Sequence, residues 1–380
     1  FITRFGIINE KIITIQDQAD QIYKALHETQ GFDFVFVTGG LGPTNDDITK
    51  KVASDFFQTN LVEKPELKEH LENYFAEKNI AMSKINYEQA LFPEIANIIP
   101  NDVGTAPGIQ FQQARTHYYF MPGVPVEMRR MLKEHIADEL QDGNTIDRTN
   151  YEKIRTFGIA ESKLYSDLQK WIEENSAVKV AFQPQMPGVD IFLESENQEN
   201  LAQAVNYIKG NFGPYIFGYN DDEVYEVLGD FLTEKGFTIA TAESCTGGLI
   251  GDLLTNKAGS SEYFQGSVVA YANRIKTNML NVKASTIKKH GAVSPETARE
   301  MARGIQTNFN VDIGLSTTGI AGPNGGTEAK PVGTVWIGIA TEQEEKTVKY
   351  HFNKDRLTNK QAFARCALIE AIRFIKRRSL

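Results

Sequence analysis

The 380-residue sequence has a net charge of −9 and a hydrophobic fraction of 41%, values typical of a globular protein with two or three domains. The acidic balance argues against broad nucleic-acid binding, which requires a basic surface. No apolar run reaches the roughly 18–20 residues of a membrane span, and no signal peptide is visible. The two cysteines, Cys245 and Cys366, form neither a disulfide framework nor a metal-site spacing. These features favour a cytoplasmic protein without membrane association.

The first third of the chain has a glycine-rich loop between a strand and a helix. Residues 32–38 predict a buried parallel strand, residues 39–47 (GGLGPTNDD) a loop, and residues 48–57 a helix. Glycines let the main chain approach a phosphate closely, and the following helix N-terminus favours the anion. Many strand–helix turns are glycine-rich for steric reasons alone, so the loop by itself leaves both interpretations open.

Acidic residues near this loop suggest a cation site. Asp46 and Asp47 precede the helix, where a helix cap needs only one of them. Glu127 follows the predicted strand 118–121. Hard cations take oxygen ligands, so carboxylates beside a phosphate-binding loop suit a divalent cation in pyrophosphate chemistry.

A smaller unit is predicted between residue 149 and about residue 218. Its pattern gives helices near 162–175 and 197–211 and strands at 178–182 and 189–193, which suits a small α+β domain. A KH-like RNA-binding domain is one interpretation, but the Gly-x-x-Gly clamp of such domains is absent. A scaffolding or dimer-forming role is favoured instead, and residues 212–222 are interpreted as a linker.

The motif AESCTGG (242–248) follows an apolar stretch at 237–240 and opens a predicted helix. Ser244 therefore lies at a strand-to-helix turn, where main-chain N–H groups and the helix dipole favour developing negative charge. Serine and glycine are also common in structural turns and caps. A serine nucleophile needs a base. Lys276 is the candidate because burial lowers a lysine pKa, with Tyr271 to relay or orient it.

Further motifs in this half identify a family resemblance. The pieces AESCTGG, GSVVAYANRIK (266–276), HGAVSPET (290–297), TTGIAGPNGG (317–326) and KPVGTVW (330–336) resemble the C-terminal domain of the CinA family and stand-alone nicotinamide-nucleotide amidases. The resemblance implies hydrolysis of nicotinamide mononucleotide to nicotinic acid mononucleotide and ammonia, without a cofactor. It makes Ser244 the nucleophile, Lys276 its base and Tyr271 a supporting residue, with Cys245 as the rival nucleophile. The expected substrate contacts are Thr246, Gly247, Gly248, Asn273, Thr318, Gly319, Gly322 and Arg356.

The N-terminal motifs GGLGPTNDD, GTAPG (104–108) and MPGVPVEM (121–128) resemble the N-terminal domain of the same family, which is similar to molybdopterin-binding domains. The resemblance implies metal-dependent cleavage of ADP-ribose into AMP and ribose 5-phosphate. The chain opens at Phe1-Ile-Thr-Arg, within the helix expected after the family's first strand and its Gly-Asp-Glu element. The expected metal ligands are Asp46, Asp47 and Glu127, and the expected nucleotide contacts are Gly39, Gly40, Gly42, Thr105 and Gly108.

The sequence thus predicts an α/β protein of three units. These are a three-layer molybdopterin-binding-like domain (1–148), a small α+β domain (149–218) and an α/β amidase domain (219–380). We expect a homodimer that recycles pyridine nucleotides and takes nicotinamide mononucleotide and ADP-ribose as substrates. The alternatives are a non-catalytic nucleotide sensor or competence accessory protein and, by fold analogy alone, a molybdopterin-handling protein.

Overall fold

The computed structural model describes residues 2–5, 7–44, 46–142 and 150–378. The chain divides into two compact units, residues 1–149 and residues 150–380. The predicted boundary at 148/149 lies outside the described residues. Within the described ranges, no helix is both long enough and apolar enough to cross a membrane.

The N-terminal unit is built on a four-stranded sheet in the order β1-β6-β5-β4, with β1 parallel to β6 and the other pairs antiparallel. A separate antiparallel pair joins β2 and β3. The strands are β1 (Phe34–Thr38), β2 (Leu61–Glu63), β3 (Leu91–Pro93), β4 (Asn97–Ile99), β5 (Gly108–Gln113) and β6 (Thr116–Met121). The helices are α1 (Ala19–Glu28), α2 (Thr49–Phe56), α3 (Pro65–Glu77), α4 (Lys84–Tyr87), α5 (Pro125–Met131) and α6 (Ala137–Asp142), with a π-helical turn at Leu132–Ile136 and short 3-10 turns at Ile2–Phe5 and Glu88–Ala90.

Strand β6 shows why this unit has three layers. Its side chains alternate between two hydrophobic clusters, because successive residues of a strand point to opposite faces. Tyr118 and Phe120 pack with residues of α1, α2 and α3, whereas Tyr119 and Met121 pack with residues of α5 and α6. Both faces of the sheet are therefore covered, as the three-layer prediction requires.

The middle part of the chain, at the start of the second unit, has its own antiparallel sheet in the order β10-β7-β9-β8. Leucines of α7 and α8 pack with Ile154, Ile191 and Leu193 on one face of this sheet. The elements are β7 (Asn150–Phe157), α7 (Glu161–Glu174), β8 (Lys179–Gln185), β9 (Gly188–Ser195), α8 (Gln198–Phe212) and β10 (Ile216–Tyr219). The linker interpretation of residues 212–222 is wrong for β10: Ile216 and Phe217 are buried, so this segment joins the sheet instead of crossing solvent.

The C-terminal part forms a five-stranded sheet in the order β12-β11-β13-β14-β15, in which β12, β11 and β13 are parallel. Residues of α9, α10 and α14 belong to one hydrophobic cluster, and residues of α11 and α13 belong to another. The strands are β11 (Ile239–Glu243), β12 (Phe264–Val269), β13 (Ile313–Gly319), β14 (Thr334–Ala340) and β15 (Glu345–His351). The helices are α9 (Val224–Lys235), α10 (Leu249–Thr255), α11 (Asn273–Leu280), α12 (Ala284–His290), α13 (Pro295–Phe309) and α14 (Arg356–Arg378).

Candidate active site

Ser244 lies at the carboxyl end of the central parallel strand β11, where ligands of open α/β sheets bind. Its main-chain N–H donates to the carbonyl oxygen of Thr317 on the neighbouring strand at 2.9 Å. Gly247 and Gly248 then take positive φ angles of +66° and +100°, and α10 begins at Leu249. The two glycines are required because side chains rarely adopt this conformation. The motif therefore forms the predicted turn, with Ser244 at its start.

Lys276 points its amine at this serine. It lies on α11 and is only 1% exposed, one of the largest fully buried side chains of the described chain. Its Nζ lies 2.9 Å from Oγ of Ser244 and donates to the carbonyl oxygens of Ala270 at 2.6 Å and Tyr271 at 3.2 Å. The fold thus brings together two residues 32 positions apart in the chain.

The surroundings of Lys276 favour a neutral amine. Burial lowers its pKa from 10.5 to about 8, because the charged form loses hydration. Among the described residues, no carboxylate forms an ion pair with it. A neutral amine keeps two hydrogens and one lone pair. The carbonyl oxygens of Ala270 and Tyr271 accept the hydrogens, which leaves the lone pair for the Ser244 hydroxyl. This arrangement can deprotonate a serine.

Cys245, the rival nucleophile, is buried in the main hydrophobic cluster of this part of the chain. A Cβ on Gly319 would lie 3.1 Å from its Sγ, so the thiol packs against β13. Burial raises the pKa of Cys245 to about 12, and a thiol of that pKa stays protonated and unreactive at neutral pH. The geometry favours Ser244.

Glu243 was missed by the sequence reasoning. It is fully buried, and its carboxylate accepts hydrogen bonds from the main-chain N–H groups of Gly248 at 2.9 Å, Ile250 at 3.0 Å and Gly251 at 2.8 Å. Ser267 on β12 also donates to it, at 3.1 Å. Glu243 therefore caps α10 from the preceding strand and fixes the turn that carries Ser244. A charged residue ending an apolar strand was the available signal.

This cap changes the expected source of oxyanion stabilisation. The first N–H groups of α10 were expected to face developing negative charge, but three of the N–H groups at this end already donate to Glu243. These three N–H groups are therefore not available to stabilise an oxyanion.

The prediction that Tyr271 relays protons between Lys276 and Ser244 is not supported by the contacts of its side chain. Tyr271 is 61% exposed, and its hydroxyl accepts a hydrogen bond from Nη2 of Arg356 at 3.2 Å. Its hydrogen bond with Lys276 is made by the main-chain carbonyl. Arg356 also donates to the carbonyl oxygen of Gly322, so Tyr271, Arg356 and Gly322 form one side of the site.

Several residues predicted to contact the substrate instead bond to, or pack against, other groups of the protein. The hydroxyls of Thr246 and Thr317 are hydrogen-bonded to each other at 2.8 Å, and Thr318 donates to the carbonyl oxygen of Ala292 at 2.7 Å. Both predicted threonines are buried. A Cβ on Gly319 would lie 2.5 Å from the carbonyl oxygen of Thr334, so close strand packing explains this glycine. Asn273 is exposed at the first position of α11.

The predicted nucleotide loop of the N-terminal unit is partly assembled. Gly39 and Gly40 have φ angles of +101° and +68°, which the turn after β1 requires. A Cβ on Gly123 would approach Cα of Gly39 at 3.4 Å, so the loops after β1 and β6 lie together. Thr105 is half-buried between β4 and β5. Gly108 instead lies in β5, where a Cβ would meet Ile99 and the carbonyl of Phe120 at 3.0 Å, so packing explains it.

The three predicted metal ligands are not gathered into one site. Asp47 accepts hydrogen bonds from the main chain of Thr44 at 3.0 Å and from its hydroxyl at 2.5 Å, and a Cβ on Gly42 would meet its carboxylate. Thr44 also lowers the pKa of the exposed Asp46. Glu127 accepts from Asn101 at 2.7 Å. In the described part of the chain, the group of three acidic or histidine side chains whose ligand atoms all lie within 4.8 Å of one another is Asp102, Glu134 and His135, all exposed.

The expected divalent cation therefore does not fit the predicted trio as a set. Asp47 and Glu127 are each held by a neighbouring polar group instead of facing a shared centre. Asn101, which also donates to the carbonyl oxygen of Ala106 at 2.8 Å, was not predicted at this site.

Comparisons with protein families match all three parts of the chain. A family model described as the CinA C-terminal domain matches residues 221–375, and one described as a probable molybdopterin binding domain matches residues 1–142. A third, the damage-inducible protein CinA KH domain, matches residues 152–218. The KH-like interpretation, which the sequence reasoning ranked below a scaffold, is the one that this match supports.

Related proteins extend over nearly the whole chain. A CinA-like protein of Cytophaga hutchinsonii is 39% identical over 94% of this chain and 87% of its own length. A putative competence-damage inducible protein of Halothermothrix orenii is 38% identical over 99% of this chain and 92% of its own length. Among solved structures, the competence/damage inducible protein CihA of Agrobacterium tumefaciens is 36% identical and covers 40% of this chain and 95% of its own, with a TM-score of 0.38.

Proposed function

The chain belongs to the CinA family, and from that premise we propose that its C-terminal domain is an amidohydrolase. It converts the carboxamide of nicotinamide mononucleotide into the carboxylate of nicotinic acid mononucleotide and releases ammonia. The observation that carries this proposal is the 2.9 Å contact between Nζ of Lys276 and Oγ of Ser244, made by two buried side chains at the end of a parallel strand.

Acylation follows from this contact. Neutral Lys276 accepts the hydroxyl proton of Ser244 as Oγ forms a bond to the carboxamide carbon, and the carbonyl π electrons move to oxygen. Main-chain N–H groups of the turn at 245–247 stabilise the resulting oxyanion. When the intermediate collapses, the C–N bond breaks and Lys276 returns its proton to the departing nitrogen, which leaves as ammonia.

Hydrolysis of the ester repeats the sequence with water. Lys276, neutral again, accepts a proton from water as the water oxygen bonds to the ester carbon. Collapse of this second intermediate breaks the ester bond, and the proton on Lys276 returns to Oγ of Ser244. The product is the carboxylic acid, and the enzyme is restored without a metal or cofactor.

The test is ammonia release from nicotinamide mononucleotide by the full chain. Ser244→Ala is expected to lower the rate by at least about 1000-fold while the melting temperature stays within a few degrees. Cys245→Ala is expected to stay close to the parent rate, and Ser285→Ala, at an exposed serine on α12, is the matched control. Substantial turnover by Ser244→Ala, or loss of turnover in Cys245→Ala alone, would exclude the serine mechanism.

We propose ADP-ribose cleavage to AMP and ribose 5-phosphate as a second activity, in the N-terminal unit. The adjacent loops at Gly39 and Gly123 support it, since two close main-chain segments can accept a diphosphate. Cleavage is measured as AMP release with magnesium and with a chelator. Asp47→Asn is expected to reduce cleavage because its carboxylate accepts from the main chain and the hydroxyl of Thr44 and so holds the loop after β1, whereas Asp102→Asn, in the exposed group of Asp102, Glu134 and His135, should not. The opposite result would move the cation to the second group.

The competing proposal is a nucleotide sensor or competence accessory protein without turnover. It predicts that nicotinamide mononucleotide or ADP-ribose binds and raises the melting temperature while neither ammonia nor AMP is released. A homodimer in the cytoplasm remains part of the main proposal, and light scattering of the purified chain tests the dimer.

A further inference from the structure

We propose that Lys360 and Arg356 hold the phosphate group of the amidase substrate, and that Lys360 sets the preference for a nucleotide over the corresponding nucleoside. The inference rests on the proposed amidase function and names the part of the substrate that this edge of the site recognises. Arg356 is already an expected substrate contact, so Lys360 is the new residue of this site.

The two cations share one face at the start of α14. They are four residues apart, the spacing that places side chains above one another on a helix. Asn359 holds this first turn in place, since its side-chain amide donates to the carbonyl oxygens of Ala321 at 3.0 Å and Lys354 at 2.8 Å. Arg356 is tied to Gly322 and Tyr271 beside the same loop. The cations are therefore carried by a rigid element that faces the site.

Lys360 lies over the turn that carries the nucleophile. Its Nζ is 3.5 Å, and its Cε 3.9 Å, from the point that a Cβ on Gly247 would occupy. Gly247 follows Ser244 by three residues, a chain span of at most about 11 Å. The ammonium is thus close enough to the nucleophile for one small ligand to reach both.

The surroundings of Lys360 and Arg356 favour the binding of an anion. In the described part of the chain, neither Lys360 nor Arg356 forms an ion pair with a carboxylate, although Lys360 is half-buried. The nearby carboxylate of Asp355 is occupied by the main-chain N–H groups of Leu357 at 3.0 Å and Thr358 at 3.1 Å. A guanidinium and an ammonium together suit a phosphate monoester, which carries close to two negative charges and several acceptor oxygens.

The experiment compares nicotinamide mononucleotide with nicotinamide riboside, which lacks the phosphate. In Lys360→Gln, the ratio of the two kcat/KM values is expected to fall by about 10-fold to 100-fold, the usual loss for one charge-assisted hydrogen bond. Lys360→Arg should recover much of the ratio. The control is Lys349→Ala, an exposed lysine beside the ring of Trp336, which should keep the parent ratio.

Binding to the Ser244→Ala chain, measured by calorimetry, separates this proposal from the amidase itself. The mononucleotide should bind more tightly than the riboside, inorganic phosphate should compete with the mononucleotide only, and adding Lys360→Gln should remove most of the difference. This result supports the phosphate site even if the parent chain releases no ammonia, which would refute only the amidase. Equal binding of both ligands, or an unchanged preference in Lys360→Gln, overturns the role of Lys360 even if ammonia is released.

Discussion

The lowered pKa of Lys276 makes the stability of the C-terminal domain depend on pH in a way that can be calculated. The unfolded chain keeps the proton of this amine up to about pH 10.5, whereas the folded chain releases it near pH 8. Between these values the unfolded state binds more protons, so raising the pH favours the folded state. The contribution of Lys276 to stability therefore rises with pH.

The magnitude follows from the two pKa values. A shift from 10.5 to about 8, at about 1.4 kcal/mol per unit, corresponds to about 3 kcal/mol in total. About 2 kcal/mol of this falls between pH 7 and pH 9.5, a range in which folding can be measured. Lys276→Met keeps an unbranched side chain of similar length but cannot titrate. The free energy of unfolding of the parent minus that of the variant should therefore increase by about 2 kcal/mol across this range.

Urea denaturation followed by tryptophan fluorescence measures this difference. The chain has two tryptophans, Trp171 in the middle domain and Trp336 on β14, so a Trp171→Phe background leaves one reporter in the C-terminal sheet. Lys289→Met, at an exposed lysine on α12, controls for general effects of charge. A difference between parent and Lys276→Met that stays constant from pH 7 to pH 9.5 would refute the assignment of a depressed pKa to this lysine.

Three further predictions follow from the same contacts. Because Lys276 must be neutral to act, kcat for ammonia release should rise with pH and level off above about pH 8. A flat profile from pH 6 to 9 would argue against a lysine base. Glu243→Gln places an amide NH₂ group opposite main-chain donors, so the free energy of unfolding measured in urea should fall by about 1–3 kcal/mol and kcat should fall with it. Unchanged stability would contradict the capping role. Arg373 donates to Glu370 at 3.0 Å and to the carbonyl oxygen of Phe157 at 2.9 Å, so Arg373→Ala should cost about 2–3 kcal/mol in the same assay, and a loss below 0.5 kcal/mol would contradict that role.

The elements around the nucleophile could be predicted because their signals are local. An apolar run followed by a glycine pair specifies a strand, a turn and a helix start within about ten residues. The match of Ser244 with Lys276 also depended on chemistry, since a serine nucleophile needs a base and only two histidines, His290 and His351, lie in this half of the chain. The structure places these two side chains in contact, as that reasoning expected.

The contacts that the sequence did not reveal are set by tertiary structure. Whether Tyr271 directs its phenol or its carbonyl toward Lys276 depends on how β12 leads into α11, which no pattern of residue types encodes. The acidic residues of the N-terminal loops gave a similar problem. Asp47 accepts a hydrogen bond from a neighbouring hydroxyl, and Glu127 accepts one from a neighbouring amide. The presence of several carboxylates in the sequence cannot show which of them face one another.

The positions of Glu243 and Lys276 explain how a lysine can act as a base beside a buried carboxylate. An unpaired carboxylate within about 4–6 Å of an amine raises its pKa and favours the charged form, which cannot accept a proton. Glu243 is the last residue of β11 and Ser244 begins the turn that follows, and the two side chains have different partners. The carboxylate is occupied by three N–H groups at the start of α10, while the hydroxyl meets Lys276. In the described part of the chain, the acidic residue that directly precedes the nucleophile thus caps the helix and does not pair with the lysine.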